Sequence, residues 1–374
     1  MSGIYIHIPF CRQACTYCDF HFSTSLQTID KLMECLLKEI EMRKDYLTGE
    51  TISTIYFGGG TPSILEVEKI EMVLNKIRKE FLVDTRAEIT LEANPDDLTA
   101  IKSKALFAAG INRLSIGIQS FSDNDLKFMN RAHNSQQALD AIKNVREARF
   151  ENISIDLIYG IQNQSPRQWE INLQAAFDMQ IEHLSCYALT VESRTVLADM
   201  IKKKKIAPLD EEKALTDFEL LMNRAEAAGY EHYEISNFAR NKKYSGHNTS
   251  YWQRKKYLGL GPSAHSFNLE SRQWNVSNNK LYIQSLEENK LNFEREELTE
   301  TNKFNEYVLT SLRTMWGTDL ELVEKEFGKI RKSILENQFE VLEKRGFVER
   351  VHANFILTRK GNFFADKIAG DLFE

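Results

Sequence analysis

Long apolar runs and an excess of positive charge are both missing from this sequence of 374 residues. No stretch approaches the ~20 apolar residues that cross a bilayer, so we expect no membrane-spanning helix. The amino terminus lacks a basic segment followed by an apolar one, which argues against secretion. Lys and Arg total 48 against 54 Asp and Glu, and the net charge of −6 gives no general reason to bind nucleic acid. We therefore expect a cytoplasmic protein, while the run Lys202–Lys205 leaves peripheral attachment to an anionic membrane surface open.

Cysteine is also scarce, and its placement is uneven. Three of the five cysteines fall within eight positions, at Cys11, Cys15 and Cys18, so the odd total implies no disulfide framework. Cys35 lies in a helical pattern and Cys186 in an apolar strand pattern, and we expect both to be small buried hydrophobes. A reducing cytoplasm suits thiols that hold a metal cluster.

The three crowded cysteines follow the apolar run Ile4–Ile8 at C-x3-C-x2-C spacing. A tight loop can turn all three sulfurs toward one point, where three thiolates hold three irons of a [4Fe–4S] cube. The fourth iron then has an open position, which is typical of a reactive rather than a structural metal site. His21 is available as a fourth ligand, so a zinc site remains an alternative, as do unrelated core thiols.

Strand-like and helix-like patterns alternate from residue 1 to about residue 190. The predicted strands are Ile4–Ile8, Thr54–Phe57, Glu88–Glu92, Arg113–Ile118, Ile153–Tyr159 and His183–Leu189. The predicted helices lie near Ile29–Tyr46, Glu66–Phe81, Leu98–Ala109, Ser135–Ala148 and Pro166–Met179. Six βα steps of this size predict a parallel sheet wrapped by helices, and both an open doubly wound sheet and a partial barrel fit the pattern.

Polar and glycine residues follow several of these strands. The turn Gly58–Pro62, which reads Gly-Gly-Gly-Thr-Pro, allows close approach of a ligand, although alone it indicates only a tight strand-to-helix turn. Glu92 ends the third strand and is either a ligand for ribose hydroxyls or an ordinary solvated carboxylate. Asp156 lies inside an apolar strand and needs a partner, for which Arg131 is a candidate.

The cysteine spacing, with Tyr17 before the last cysteine, resembles that of the radical S-adenosylmethionine (SAM) superfamily. The resemblance implies a partial (β/α)6 barrel and a cluster whose open iron chelates SAM and cleaves it to a 5′-deoxyadenosyl radical. The Gly58–Pro62 turn then resembles the superfamily's glycine-rich turn, which contacts the SAM amino group. Chemistry in such barrels gathers at the carboxyl ends of the strands.

The order of the segments resembles one branch of that superfamily, the oxygen-independent coproporphyrinogen III dehydrogenases (HemN) and their HemW relatives. This resemblance implies that Tyr5 and Glu92 contact SAM. It implies further contact positions, some of which bind a second SAM in the dehydrogenases, at Tyr17, Gly59, Gly60, Thr61, Gln119, Arg131, Asp156 and Ala188.

The alternation breaks down from about residue 191 to 292, where we expect an accessory α+β extension. His247 begins the pattern His-Asn-x-x-Tyr-Trp, which ends at Trp252, and His265 follows. From the residues alone, a histidine satisfied by hydrogen bonds in an aromatic core is the favoured interpretation. The pattern, however, resembles the motif that HemW proteins are thought to use for heme. The resemblance makes His247 the favoured axial heme ligand and His265 a weaker alternative.

The tail from 293 to 374 has helical patterns near Asn302–Trp316, Asp319–Phe327 and Lys329–Arg345, followed by a short hairpin. This order predicts a winged-helix-like domain. Its 13 Lys and Arg against 16 Asp and Glu argue against a nucleic-acid partner, so we expect a packing or lid domain.

Two functions from different classes follow from the resemblance. The dehydrogenases carry a fourth cysteine at the position of Phe20 and a long segment before the cluster loop, whereas ten residues precede Cys11 here. With the motif at His247, these features favour a heme chaperone over a coproporphyrinogen III dehydrogenase and leave any enzymatic role open. The expected cofactors are a [4Fe–4S] cluster, SAM and heme. The expected partners are hemoprotein acceptors, some of them at the membrane, and an electron donor for the cluster.

Overall fold

The computed structural model describes residues 2–374, and its largest feature is a sheet of twelve strands. The six central strands, β1 to β6, run parallel in chain order. Their bounds are β1 Ser2–Ile8, β2 Ile52–Gly59, β3 Val83–Ala93, β4 Arg113–Gln119, β5 Ile153–Tyr159 and β6 His183–Ala188. The sheet curves without closing, so the predicted partial (β/α)6 barrel is confirmed, and the strand predictions were right to within a few residues.

Helices pack on the outer face of this sheet. The helices of the first half are α1 Ile29–Met42, α2 Val67–Glu80, α3 Ala100–Ala108, α4 Asp123–Phe128, α5 Ser135–Glu147 and α6 Pro166–Asp178. Along β1, Ile4, Ile6 and Ile8 are fully buried in the layer between sheet and helices. The alternate residues Tyr5 and His7 point to the inner face, as the two-residue period of a strand requires.

The extension adds strands to both edges of the barrel. Its elements are α7 Val196–Lys202, α8 Glu211–Ala227, β7 Glu231–Glu234, β8 Asn237–Ala239, α9 Gly246–Trp252, β9 Tyr257–Leu260, β10 His265–Phe267, β11 Ser271–Asn275, α10 Asn279–Glu287 and β12 Phe293–Glu297. β8 pairs antiparallel with β6, and β9 pairs parallel with β1. The sheet thus continues from the barrel into the extension, and β12 lies beyond the predicted boundary at 293.

A second apolar core lies within residues 304–372. It is built from α11 Glu300–Leu312, β13 Thr318–Asp319, α12 Leu320–Phe327, α13 Lys329–Lys344, β14 Val348–Val351, β15 Asn354–Leu357, α14 Arg359–Asn362 and α15 Ala365–Asp371. Its three strands form a small antiparallel sheet that accompanies the five helices, and the first three of these helices precede the β14–β15 hairpin as in a winged helix. The division at 190 and 292 stays a prediction.

The helices are too short or too polar for a bilayer. Across residues 2–374, none has the length and apolar character needed to cross a membrane.

Candidate functional site

The loop after β1 carries the three cysteines and is fixed at both ends. Phe10 bridges to Ser23, and the Cys11 backbone N–H donates to the Ser23 carbonyl at 3.0 Å. The middle of the loop is held by Asn130, whose side chain donates to the Ala14 carbonyl at 2.7 Å. The loop is therefore positioned by the segment after α4 as well as by its own strand.

Each of the three thiols has its own hydrogen-bond donor. Thr61 Oγ1 donates to Cys11 Sγ at 3.3 Å, and Arg131 Nη1 donates to Cys15 Sγ at 3.2 Å. Cys18 interacts with the backbone of Phe20. Burial raises the pKa of Cys11 and raises that of Cys18 to about 11, so the pocket by itself disfavours thiolates.

This donor set fits an iron–sulfur cluster. All three sulfurs border one cavity, and two side chains stand ready to donate to thiolates that the irons would hold deprotonated. In the described part of the chain, no three Cys, His, Asp or Glu side chains stand close enough for one metal ion. His21, the zinc ligand considered above, instead bonds through Nε2 to Asn279 Oδ1 at 2.7 Å.

The glycine turn after β2 lies against the cysteine loop. A Cβ on Gly60 would stand 2.7 Å from the Phe10 carbonyl oxygen, and Gly59 has a φ of +113°. Substitution would therefore displace the loop backbone at one position and strain the turn at the other. The three-glycine run is explained by this close approach, which brings Thr61 to Cys11.

Glu92 lies half-buried at the carboxyl end of β3. It accepts hydrogen bonds from Tyr56 Oη at 2.8 Å and from the Gly59 N–H at 3.2 Å. Burial, reinforced by the charge of Asp156, raises the pKa of Glu92 to about 7. Burial also raises the pKa of Asp156 to about 6. These two carboxyl groups therefore change charge near neutral pH.

The predicted pairing of Asp156 with Arg131 was wrong. Asp156 accepts a hydrogen bond from Ser115 Oγ at 3.3 Å. Arg131 Nη2 donates to Asn94 Oδ1 at 2.7 Å and to the Gly117 carbonyl at 2.8 Å. These bonds hold the guanidinium against β4 and the cysteine loop rather than at β5.

One cavity of about 1400 Å³ collects most of the predicted site. Of the fourteen residues predicted from the sequence, twelve line it: Cys11, Cys15, Tyr17, Cys18, Gly59, Gly60, Thr61, Glu92, Gln119, Arg131, Asp156 and Ala188. Tyr5 is not in the described lining, and its ring instead stacks on Tyr56 with centroids 6.1 Å apart. Its contact with SAM stays a prediction.

His247 lies elsewhere, at the amino-terminal ends of the first strands. It is 1% exposed, Nδ1 bonds to Thr54 Oγ1 at 2.8 Å, and Nε2 bonds to Tyr251 Oη at 2.7 Å. The ring also stacks on Tyr56. Both ring nitrogens are therefore hydrogen-bonded and the ring is buried in this arrangement, and the role of His247 as an axial heme ligand stays a prediction.

The rest of the His-Asn-x-x-Tyr-Trp motif also makes packing contacts and hydrogen bonds within the protein. Tyr251 packs edge-on against Tyr257 of β9, and the Arg313 guanidinium lies 5.3 Å from the Trp252 ring centroid. Backbone N–H groups at the start of α9 donate to the Glu88 carboxylate. The motif thus packs against the amino-terminal part of the barrel strands. His265 is exposed beside Trp274, outside the lining.

Two site residues were not singled out from the sequence. Asn94 lines the cavity and accepts a hydrogen bond from Arg131. The sequence feature that could have identified it is its position two residues after Glu92, on the same strand face. Asn130 holds the cysteine loop, and its φ of 53° is a conformation that asparagine tolerates.

By sequence, the chain matches one protein-family model and several individual proteins. Residues 5–175 match the Radical SAM superfamily. The chain is 32% identical over 374 residues to heme chaperone HemW of Bacillus subtilis, covering 99% of this chain and 98% of that protein. Heme chaperone HemW of Mycobacterium tuberculosis is 34% identical over 288 residues, which cover 76% of this chain and 74% of that protein.

Among solved structures, coproporphyrinogen III oxidase (HemN) from Escherichia coli, a radical SAM enzyme, has a TM-score of 0.86. The match covers 100% of this chain and 90% of that chain at 24% sequence identity. At this identity the likeness shows the fold alone, and it extends to the C-terminal residues as well as the barrel.

Proposed function

The chain belongs to the HemW family of radical SAM proteins, and on that premise we propose that it is a heme chaperone that binds heme and transfers it to hemoprotein acceptors. The observation that carries the proposal is the match to a heme chaperone HemW over 99% of this chain and 98% of that protein. The twelve residues gathered at the carboxyl ends of the strands support it, because the family implies a cluster and SAM at that place.

In this proposal Cys11, Cys15 and Cys18 anchor a [4Fe–4S] cluster, which with SAM supplies one-electron chemistry when bound. The chain's own residues form the binding site for the cluster and SAM. Thr61 and Arg131 donate to two of the thiolates. SAM would bind along the Gly58–Pro62 turn and beside four further lining residues: Glu92, Gln119, Asp156 and Ala188.

The alternative function is that of a coproporphyrinogen III dehydrogenase. Phe20 stands where that enzyme class carries a fourth cysteine, and its side chain is 69% exposed at the cavity. A phenyl ring can neither donate a hydrogen bond as a thiol does nor bind a metal as a thiolate does, so this chain lacks one functional group of that enzyme class. This position favours the chaperone.

The proposed partners are heme, a hemoprotein acceptor and an electron donor for the cluster. The side chains of Lys202–Lys205 are all exposed, so an anionic membrane surface is a further candidate partner for acceptor delivery.

Heme transfer tests the proposal directly. Anaerobically reconstituted protein would be loaded with one equivalent of heme and mixed with apomyoglobin, and the absorption spectrum followed in time. We expect transfer whose rate rises with acceptor concentration, because a chaperone hands heme over on contact. Failure to bind heme, or release at one fixed rate regardless of acceptor, would contradict the proposal.

A second assay separates the two functions. The same protein would receive coproporphyrinogen III, SAM and a reductant, and the products would be separated by chromatography. We expect no vinyl-bearing product. Conversion to protoporphyrinogen would favour the dehydrogenase.

A further inference from the structure

The cavity at the strand ends is larger than one small ligand requires. Its volume is about 1400 Å³, whereas sites for a single drug-sized ligand span roughly 300–1,000 Å³. The predicted SAM-contacting residues in the lining occupy the floor, at the ends of β2 to β6 and on the neighbouring loops. The outer part of the cavity, toward α7, α8 and α15, is not used by them.

The outer wall is apolar and comes from four separate segments. Five of its side chains are more than one-third exposed although they are large and hydrophobic: Phe20, Tyr187, Val191, Leu215 and Phe364. Behind them, Phe218 is buried, stacks on Tyr159 and packs edge-on against Phe363. Such a concave wall of exposed hydrophobes is typical of a site for a large, flat, apolar ligand.

The charges around this wall set an orientation for such a ligand. Asp19, Glu192 and Glu211 line the cavity, and two cations in the same lining are already paired: Arg313 with Glu234 and Asp366, and Lys367 with Asp371. Carboxylates of a ligand would therefore meet few unpaired cations in the outer part of the cavity. Outside, the exposed run Lys202–Lys205 follows directly on Ile201, which lines the cavity. A ligand with an apolar body and anionic substituents on one edge fits this arrangement with that edge pointing outward.

The wall offers iron neither a histidine nor a methionine. None of the described lining residues is of either type, and the three cysteines there belong to the proposed cluster. Exposed Tyr187 is the one residue of this wall whose type can ligate heme iron. His247 lies at the other end of the barrel with both nitrogens hydrogen-bonded. Recognition at this wall would therefore depend on the face of the macrocycle and not on a histidine bound to its metal.

We infer that heme binds in the outer part of the cavity, against Leu215 and Phe364, with its propionates directed outward toward Lys202–Lys205 and without an axial histidine from the protein. This inference rests on the proposed function and assigns the heme site within it. It places heme beside the cluster loop and SAM-binding floor, so that transfer and cluster chemistry share one cavity.

A charge placed on the wall tests the location. Leu215→Asp puts a carboxylate at a position that is 47% exposed on α8, while Leu139→Asp makes the same change at a 40% exposed position on α5, away from the cavity. We expect Leu215→Asp to weaken heme binding by about tenfold or more, the equivalent of one leucine's apolar contact, and Leu139→Asp to leave it unchanged. Equal heme affinity in both variants and the wild type would overturn the inference.

Iron-free protoporphyrin IX tests the absence of an axial histidine in the unaltered protein. We expect heme and protoporphyrin IX to bind with affinities within about tenfold of each other and to compete for one site. Heme binding about a hundredfold tighter or more, with the spectrum of a histidine-ligated iron, would overturn the inference while leaving the chaperone function intact. Failure of the wild type to bind either molecule would instead contradict the proposed function.

Discussion

Arg131 Nη1 lies 3.2 Å from Cys15 Sγ, and through this contact the segment after α4 reaches the cysteine loop. The other terminal nitrogen of the same guanidinium is held by Asn94 and the Gly117 carbonyl. The side chain is therefore a fixed donor to a thiolate, and two of its bonds hold it in place while the third reaches the sulfur.

We predict that Arg131→Met lowers the reduction potential of the cluster. A donor to a thiolate stabilises the more negative, reduced form, and a difference of ~1.4 kcal/mol corresponds to about 60 mV for one electron. The potential would be measured by EPR-monitored titration in the absence of SAM. Arg12→Met is the matched control, because Arg12 lies on the same loop but pairs with Asp97 at 3.0 Å. An equal shift in both variants would contradict a specific role for the Cys15 contact.

We predict that SAM binds more tightly as pH rises from about 6 to 8. The pKa of Glu92 is raised to about 7 by burial and by Asp156, so its carboxylate becomes available to ribose hydroxyls only above that pH. Glu92→Gln should weaken binding by about tenfold or more at pH 8 and flatten the profile above pH 7. Isothermal titration at several pH values would measure both.

Glu88→Gln is the control for that experiment. Glu88 lies on the same strand and face, four residues before Glu92, and it accepts from the Gly246 and His247 N–H groups. SAM affinity that falls equally in both variants would show that the effect is general and not specific to the site.

The βα alternation was readable from the sequence because buried parallel strands are apolar runs separated by amphipathic helices. The cavity was largely readable too, since residues after parallel strands share one edge of the sheet. The environment of His247 could not be predicted from the sequence, because it depends on Thr54, which is 193 residues distant in sequence. The partner of Arg131 was misjudged for the same reason: loop geometry, and not local pattern, brings it to Cys15.

We predict that Glu39→Ala destabilises the fold by about 3–5 kcal/mol, since it leaves buried Arg43 without its carboxylate. Glu39 also accepts from the Gly261 N–H at 2.8 Å, Asn275 Nδ2 at 2.7 Å and Tyr282 Oη at 2.6 Å. These bonds tie α1 to the extension. Urea unfolding would measure the free energy of unfolding.

Glu41→Ala is the control on the same helix. Glu41 pairs with Lys76 at 2.6 Å on the surface, where solvent screens the charges. A loss of stability as large as that of Glu39→Ala would argue against the buried network as the cause.

We predict that a neutral buried His247 makes stability fall as the solution is acidified. Burial lowers its pKa to about 3, so between pH 6.5 and pH 3 the unfolded chain takes up a proton that the folded chain does not. The stability is present above pH 6.5 and is lost on acidification through that window. When the pH falls from 7 to 5, the free energy of unfolding of the His247→Asn variant should decrease by about 2 kcal/mol less than that of the wild type.

His352→Asn serves as the comparison, because His352 is exposed in the turn between β14 and β15. Its unfolding free energy should follow the wild-type pH profile. A His247→Asn profile parallel to the wild type would contradict the burial of a neutral imidazole.

In the proposed site, three thiolates anchor a cluster whose free corner faces the residues predicted to bind SAM. EPR of the reduced, anaerobically reconstituted protein, recorded with and without SAM, is the decisive experiment. We expect a [4Fe–4S] signal that changes when SAM is added, and no such signal when Cys11, Cys15 and Cys18 are all replaced by serine. A signal that persists in the triple variant, or one that SAM leaves unaltered in the wild type, would contradict it.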